Sequence, residues 1–153
     1  MTPRIDFLKT DPSAVKAMMT LQSYVNGSGL ESQLLELVKL RASQINGCGY
    51  CIDMHSKDAR AHGETEQRLY ALDAWSETPF YSERERAALA WTEAVTLVSD
   101  THIPDAAYMQ ARQHFDEKEL VNLTMAVVAI NGWNRLCIAL RVVPGTYQVA
   151  RQS

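Results

Sequence analysis

Hydrophobic positions recur at helical spacing along almost the whole chain. Val15, Met18, Met19 and Val25, with Gln22 between them, lie three and four apart and stop at Asn26-Gly27. Asp11-Pro12 supplies an N-cap and a first-turn proline for this first helix. Leu30, Leu34, Leu37, Val38 and Ile45, with the aliphatic stem of Arg41, mark the stripe of a second helix from Glu31 to about Ile45, closed by Asn46-Gly47. A third helix starts near Cys48 and runs to His62-Gly63, and a short fourth spans about Glu64 to Ala74. Thr78-Pro79 breaks the chain. Ser82-Glu-Arg-Glu85 is a capping box that opens a helix to about Ser99, and Pro104-Asp105 opens another to His114. Asp116, with Glu119 three positions on, opens the longest, from about Glu117 to Val143, which Pro144-Gly145 stops.

No alternating run long enough for a strand survives, and the Asn-Gly pairs fall at helix ends or inside helical runs. The pattern predicts an all-α fold: a single-domain bundle of about six to seven helices over residues 1–153, without repeats or linker, with Arg151-Gln-Ser as a loose tail. The last helix is apolar nearly all round. Asn122, Thr124, Asn131, Asn134 and Arg135 interrupt it, which argues against a membrane span. A helix apolar on every side has to be covered on every side, so it belongs at the centre of the core, in a subunit interface, or partly in each. Gly132 within it costs about 1 kcal/mol against alanine unless something approaches closely, so Asn131-Gly-Trp-Asn-Arg135 is either an interhelical hydrogen-bonding segment or a pocket wall.

A chain of 153 residues with a hydrophobic fraction of 46% and net charge −3 is an ordinary globular composition. Without basic clusters it does not suit nucleic acid or an anionic membrane. The start, Met1-Thr-Pro-Arg-Ile-Asp-Phe-Leu-Lys, has no signal-peptide core. A cytoplasmic location is the default, where three cysteines fit a reducing compartment with an optional Cys48–Cys51 disulfide.

The chemistry concentrates between Glu36 and His55. Cys48 and Cys51 form a C-x-x-C pair, which outside secreted proteins signals redox chemistry or a metal. Cys48, Cys51, His55 and Ala59 share one face of the third helix. At the start of that helix the dipole and free N–H groups favour a thiolate on Cys48. His55, four residues after Cys51, is placed to take its proton. Glu36 lies ten residues before Asn46, about 15 Å along a helix, and His55 eight after Gly47, about 12 Å, so an antiparallel hairpin brings them level. A carboxylate in the run Leu34-Leu-Glu-Leu-Val38 is partly buried and has its pKa raised unless a partner keeps it ionised. Glu36 and His55 then form the acid–base pair that a proton relay needs. The residues alone leave open which cysteine attacks: the dipole favours Cys48, the adjacent base Cys51.

Glu36, Cys48-x-x-Cys51 and His55 at these spacings, within Cys48-Gly-Tyr-Cys-Ile-Asp-Met-His-Ser-Lys-Asp-Ala-Arg60, resemble the AhpD-like alkylhydroperoxidases of the carboxymuconolactone decarboxylase superfamily. The close similarity covers about residues 30 to 65. It implies a thiol-dependent peroxidase of the peroxiredoxin-type alkylhydroperoxidase kind, with no metal or haem cofactor. Cys51 would meet the peroxide, Cys48 would resolve it, and Glu36 and His55 would relay protons. It further implies a peroxide substrate, an external dithiol or thiol–disulfide reductant as partner, and a homo-oligomer, trimer or hexamer. The best-understood members carry a further histidine before the second cysteine. Here Tyr50 holds that place as a possible relay residue, and a phenol is a poor base at neutral pH. Decarboxylase members lack the cysteine pair, which argues against decarboxylation.

Other readings stand beside this one. Cys48, Cys51, His55 and Glu36 make a four-ligand set for zinc. The chain can also be a non-catalytic redox-sensing or binding oligomer. Glu36 can simply pair with Lys39 or Arg41. Cys137, between Leu136 and Ile138, reads as inert core. Trp75, Trp91 and Trp133 read as packing, and His62, His102 and His114 as surface or caps.

Overall fold

The computed structural model describes residues 2–149, so the tail at 151–153 lies outside it. Nine α-helices and one 3-10 helix make up its regular structure, with no strand among the described residues. They are α1 (Phe7–Thr10), α2 (Pro12–Asn26), α3 (Ser32–Asn46), α4 (Gly49–Ala61), α5 (Glu66–Ala71), a 3-10 turn (Leu72–Glu77), α6 (Glu83–Thr96), α7 (Val98–Thr101), α8 (Asp105–Arg112) and α9 (Glu117–Leu140). The fold is all-α, and the predicted helices are all present. The count exceeds six to seven because two of them are divided and a short one precedes them.

Local chemistry sets the ends. Asp11 accepts from the N–H groups of Ser13 and Ala14 at 3.1 Å. Ser82/Glu85 and Asp116/Glu119 both close full capping boxes. The expected fourth helix changes pitch at Leu72 and bends at Ala74 (φ −113°, ψ 33°). The helix expected to reach Ser99 bends at Leu97, and the Thr101 hydroxyl donates back to Ala94 O at 2.8 Å. Helix α9 stops at Leu140, short of Val143, with Arg141 left-handed at φ 55°. Pro144 has no N–H for the Leu140 carbonyl and disfavours helical Val143. The freed carbonyls are taken by the N-terminal segment: Arg4 N–H donates to Leu140 O and its guanidinium to Ala139 O, both at 2.9 Å.

The helix at the centre is α3, against which α4, α6 and α9 pack. Seven consecutive residues, Leu34 to Leu40, are buried, so α3 is covered on every side and its single sequence stripe understates its burial. Helix α9 is buried along one side only, through Leu123, Ala126, Val127 and Ile130, while Val121 and Val128 remain 59% and 48% exposed. The larger core joins α2, α3, α6, α8 and α9 around Leu34, Phe115 and Leu123. A second lies between α3, α4, α5 and α6 around Leu37, Leu72 and Leu89.

The turn from α3 into α4 positions the cysteines. Gly47 adopts φ 68°, its N–H bonds to Gln44 O at 3.1 Å, and Cys48 N–H bonds to Ser43 O at 2.9 Å. This is a Schellman closure, with glycine at the left-handed position. A Cβ on Gly47 would meet nothing within 4 Å, so the cost of Gly47→Ala is purely conformational. Urea unfolding should show a loss of about 1–2 kcal/mol with an unchanged m-value.

Candidate active site

Cys48 is the N-cap of α4, one residue outside the helix the sequence pattern starts there, and its sulfur accepts the Cys51 N–H at 3.4 Å. One turn on, Cys51 brings its sulfur back to Cys48, and the two form a disulfide with Cα atoms 5.3 Å apart. The buried residues within α4 are Cys51, His55 and Ala59, the face that the spacing turns inward. Asp53 and Lys57 lie off that face. They pair at 2.8 Å and anchor the C-terminal segment, Asp53 accepting from Gly145 N–H at 3.1 Å and Lys57 donating to Tyr147 O at 3.1 Å.

The helix hairpin brings Glu36 level with His55, with Glu36 Oε2 3.0 Å from His55 Nδ1. Lys39, one turn along α3, donates to the other carboxylate oxygen at 2.5 Å. Glu36 and Lys39 are only 6% and 7% exposed. On a helix covered all round, each is the charge that makes the other's burial tolerable. Arg41 is engaged elsewhere, with Glu93 and Asp73. Burial pushes the Glu36 carboxyl upward, but the His55 hydrogen bond and the Lys39 charge outweigh it and hold it below its ordinary value. Glu36 is therefore ionised at neutral pH. An ionised acceptor at Nδ1 keeps the His55 proton on that nitrogen and leaves Nε2 free to accept another.

These groups open onto one cavity of about 740 Å³. Glu36, Lys39, Tyr50, Cys51, His55, Asp58, Cys137 and Tyr147 are among the residues that line it; Cys48 is not. Phe7, Leu8, Met19, Leu35, Met54 and Trp133 form apolar walls. Tyr50 is half-buried and packs against the sulfurs. Burial, then the negative charge of neighbouring groups, raises its phenol pKa, so at neutral pH it is a proton donor and not a base. The set proposed for zinc is not gathered at one point. The ligand atoms form two clusters instead, Cys48–Cys51–Cys137 and Glu36–His55–Asp58, because the carboxylate and imidazole face each other while the sulfurs face α9.

Four residues of the site escaped the sequence reading. Lys39 was weighed only as an alternative partner for Glu36. Asp58 follows His55 by one turn, and its carboxylate accepts the Tyr147 hydroxyl at 2.6 Å. That spacing was legible, but Tyr147 returns from beyond the α9 terminus, which no local pattern shows. Cys137 is not remote core: its sulfur and those of Cys48 and Cys51 all lie within 4.8 Å of one another. In the Asn131–Arg135 segment the side chains divide their work. Trp133 faces the cavity, while Asn131 and Asn134 accept from Asn46 at 3.0 and 2.9 Å and Asn134 donates to the Ser43 hydroxyl at 3.0 Å. Gly132 admits the tip of Met18, which a Cβ there would meet at 2.9 Å.

A family model described as the carboxymuconolactone decarboxylase family matches residues 12–94, more than half of the chain. The chain belongs to this family. Among carboxymuconolactone decarboxylase relatives it is AhpD-like. It is 44% identical to the uncharacterized protein YdfG of Bacillus subtilis over 92% of this chain and 95% of that one. A crystal structure of an Agrobacterium tumefaciens protein, proposed there as an antioxidant-defence AhpD, superposes with a TM-score of 0.93 at 44% identity, over 95% of this chain and 100% of that one. The alkyl hydroperoxide reductase AhpD of Hyphomonas neptunium is 40% identical over 47 residues, which is 31% of this chain and 26% of that protein.

Proposed function

We propose that this protein is a thiol-dependent alkylhydroperoxidase that reduces peroxides through a Cys48/Cys51 dithiol–disulfide cycle. One observation carries the reading: Cys51 lines the cavity with His55, Glu36 and Tyr50, while its disulfide partner Cys48 does not. Both sulfurs are buried, and the one that lines the cavity is the one a substrate in that cavity meets. In the reduced state His55 Nε2 takes the Cys51 proton, and the Glu36 carboxylate stabilises the imidazolium that results. The Cys51 thiolate attacks the peroxide, O–O breaks, and a proton from His55 or the Tyr50 phenol goes to the departing oxygen. Cys48 then attacks the Cys51 sulfenic acid, releasing water and closing the disulfide. An external dithiol reopens it.

The test is stopped-flow peroxide consumption by the reduced protein, repeated with several dithiol reductants. The reading requires saturable turnover and the loss of two titratable thiols on oxidation. Slow oxidation without saturation would make the chain a redox-sensing module instead.

Exposed Val121 and Val128, two turns apart on one face of α9, support self-association through that helix. Val128→Arg should shift the mass measured by light scattering from oligomer toward monomer, and an unchanged mass would remove α9 from the interface.

A further inference from the structure

The centre of the site holds three sulfurs. Cys137 reaches it from α9, is buried, and has no disulfide partner in this structure. Its Sγ lies within 4.8 Å of both other sulfurs, and it lines the same cavity as Cys51. Tyr50 and Val142 pack around the cluster. Closing the gap to a bond of about 2.05 Å takes a movement of about 2.8 Å at most.

We infer that Cys137 is a second resolving thiol for Cys51, so that the site closes either a Cys48–Cys51 or a Cys51–Cys137 disulfide. This rests on the peroxidase reading above. Peroxide oxidises Cys51 by two electrons to the sulfenic acid and is itself reduced to alcohol or water. The Cys137 sulfur attacks the Cys51 sulfur. The S–S bond forms, S–O breaks, and the thiol proton leaves with the hydroxyl as water. A Cys48 thiolate can afterwards attack Cys51 and displace Cys137, which regains a proton; this exchange involves no net oxidation.

Two features rank the resolving thiols. Cys48 is adjacent on the same turn, and its sulfur already accepts the Cys51 N–H. Burial pushes the Cys137 thiol up to about 11, leaving a thiolate fraction of about one in ten thousand at pH 7. Cys48 therefore closes first, and Cys137 acts when Cys48 is blocked or held in a mixed disulfide with the reductant. A sulfenic acid with a thiol at hand is protected from further oxidation.

The experiment compares Cys48→Ser with Cys48→Ser/Cys137→Ser. Each is fully reduced, treated with one equivalent of hydrogen peroxide, trapped with dimedone and digested without reductant. The single variant should give a Cys51–Cys137 cross-linked peptide and at least tenfold less dimedone adduct on Cys51 than the double variant. Cross-linking should quicken about tenfold from pH 7 to pH 8, as the thiolate fraction does. Equal labelling of both variants with no cross-link would overturn the inference and leave the peroxidase reading intact. No oxidation of Cys51 in either variant would overturn both. If the serine variants do not fold, Cys48→Ala and Cys48→Ala/Cys137→Ala are compared in the same way: a Cys51–Cys137 peptide in the single variant supports the inference, and its absence with equal dimedone labelling of both defeats it.

Discussion

Cys51→Ser should lower kcat/KM for a peroxide by at least about 10³-fold, about 4 kcal/mol of barrier, because a serine hydroxyl in the same place is not ionised at neutral pH and is a far weaker nucleophile. Cys48→Ser should behave differently. Its first oxidation, read in a single stopped-flow turnover, should stay within a few-fold of wild type, since Cys48 forms no part of the cavity wall. Its steady-state rate should fall at least about tenfold, because the fast route out of the sulfenic acid is gone. The single-turnover rate separates attack from resolution, which a steady-state assay does not. If Cys48→Ser loses the single turnover and Cys51→Ser keeps it, the two roles are exchanged. In that case the helix dipole outweighs both access to the cavity and the nearby imidazole.

The part of the site legible in the sequence is the part carried by short spacings on regular helices. Cys51, His55 and Ala59 are buried together because residues four apart share a face, and Glu36 meets His55 because a two-residue turn folds two helices back on each other. The capping residues of α2, α6 and α9 were legible for the same reason: each signal lies within one turn of what it caps. Features made by long-range return of the chain were hidden. Nothing local to Tyr147 shows that it reaches Asp58, and nothing local to Cys137 distinguishes it from core. The segment Pro3–Leu8 was read only for its lack of a signal-peptide core, yet it caps α9 through Arg4 and lines the cavity through Phe7 and Leu8. Which helix is central was left open for a related reason. Hydrophobicity singles out α9, but α3, with fewer apolar residues, is the one surrounded, and it tolerates that only because Glu36 and Lys39 neutralise each other.

That pair lets stability and chemistry be separated. Glu36→Gln leaves the Lys39 ammonium buried without its counter-charge and should cost about 3–5 kcal/mol in urea unfolding at pH 7. Lys39→Met, which strands the carboxylate on one side, should cost somewhat less, because His55 still binds the other oxygen. Glu36→Gln/Lys39→Met removes both charges at nearly constant volume and should recover most of the loss, since a buried ion pair is a weak net stabiliser against shape-matched neutral groups. Activity should not recover with it. Without an anion at Nδ1 the imidazolium formed on taking the Cys51 proton loses its stabilisation, and the single-turnover rate should stay down about 10²-fold. Acid should read the same group. The folded-state Glu36 carboxyl lies below its ordinary value of 4.5, so its contribution is present above that value and is lost as pH falls through the lower, folded one. Wild type should therefore lose stability below about pH 4.5 by a component that the double variant lacks. A double variant that regains both its stability and the wild-type single-turnover rate would reduce Glu36 to a packing partner of Lys39, and the proton relay would have to run without it.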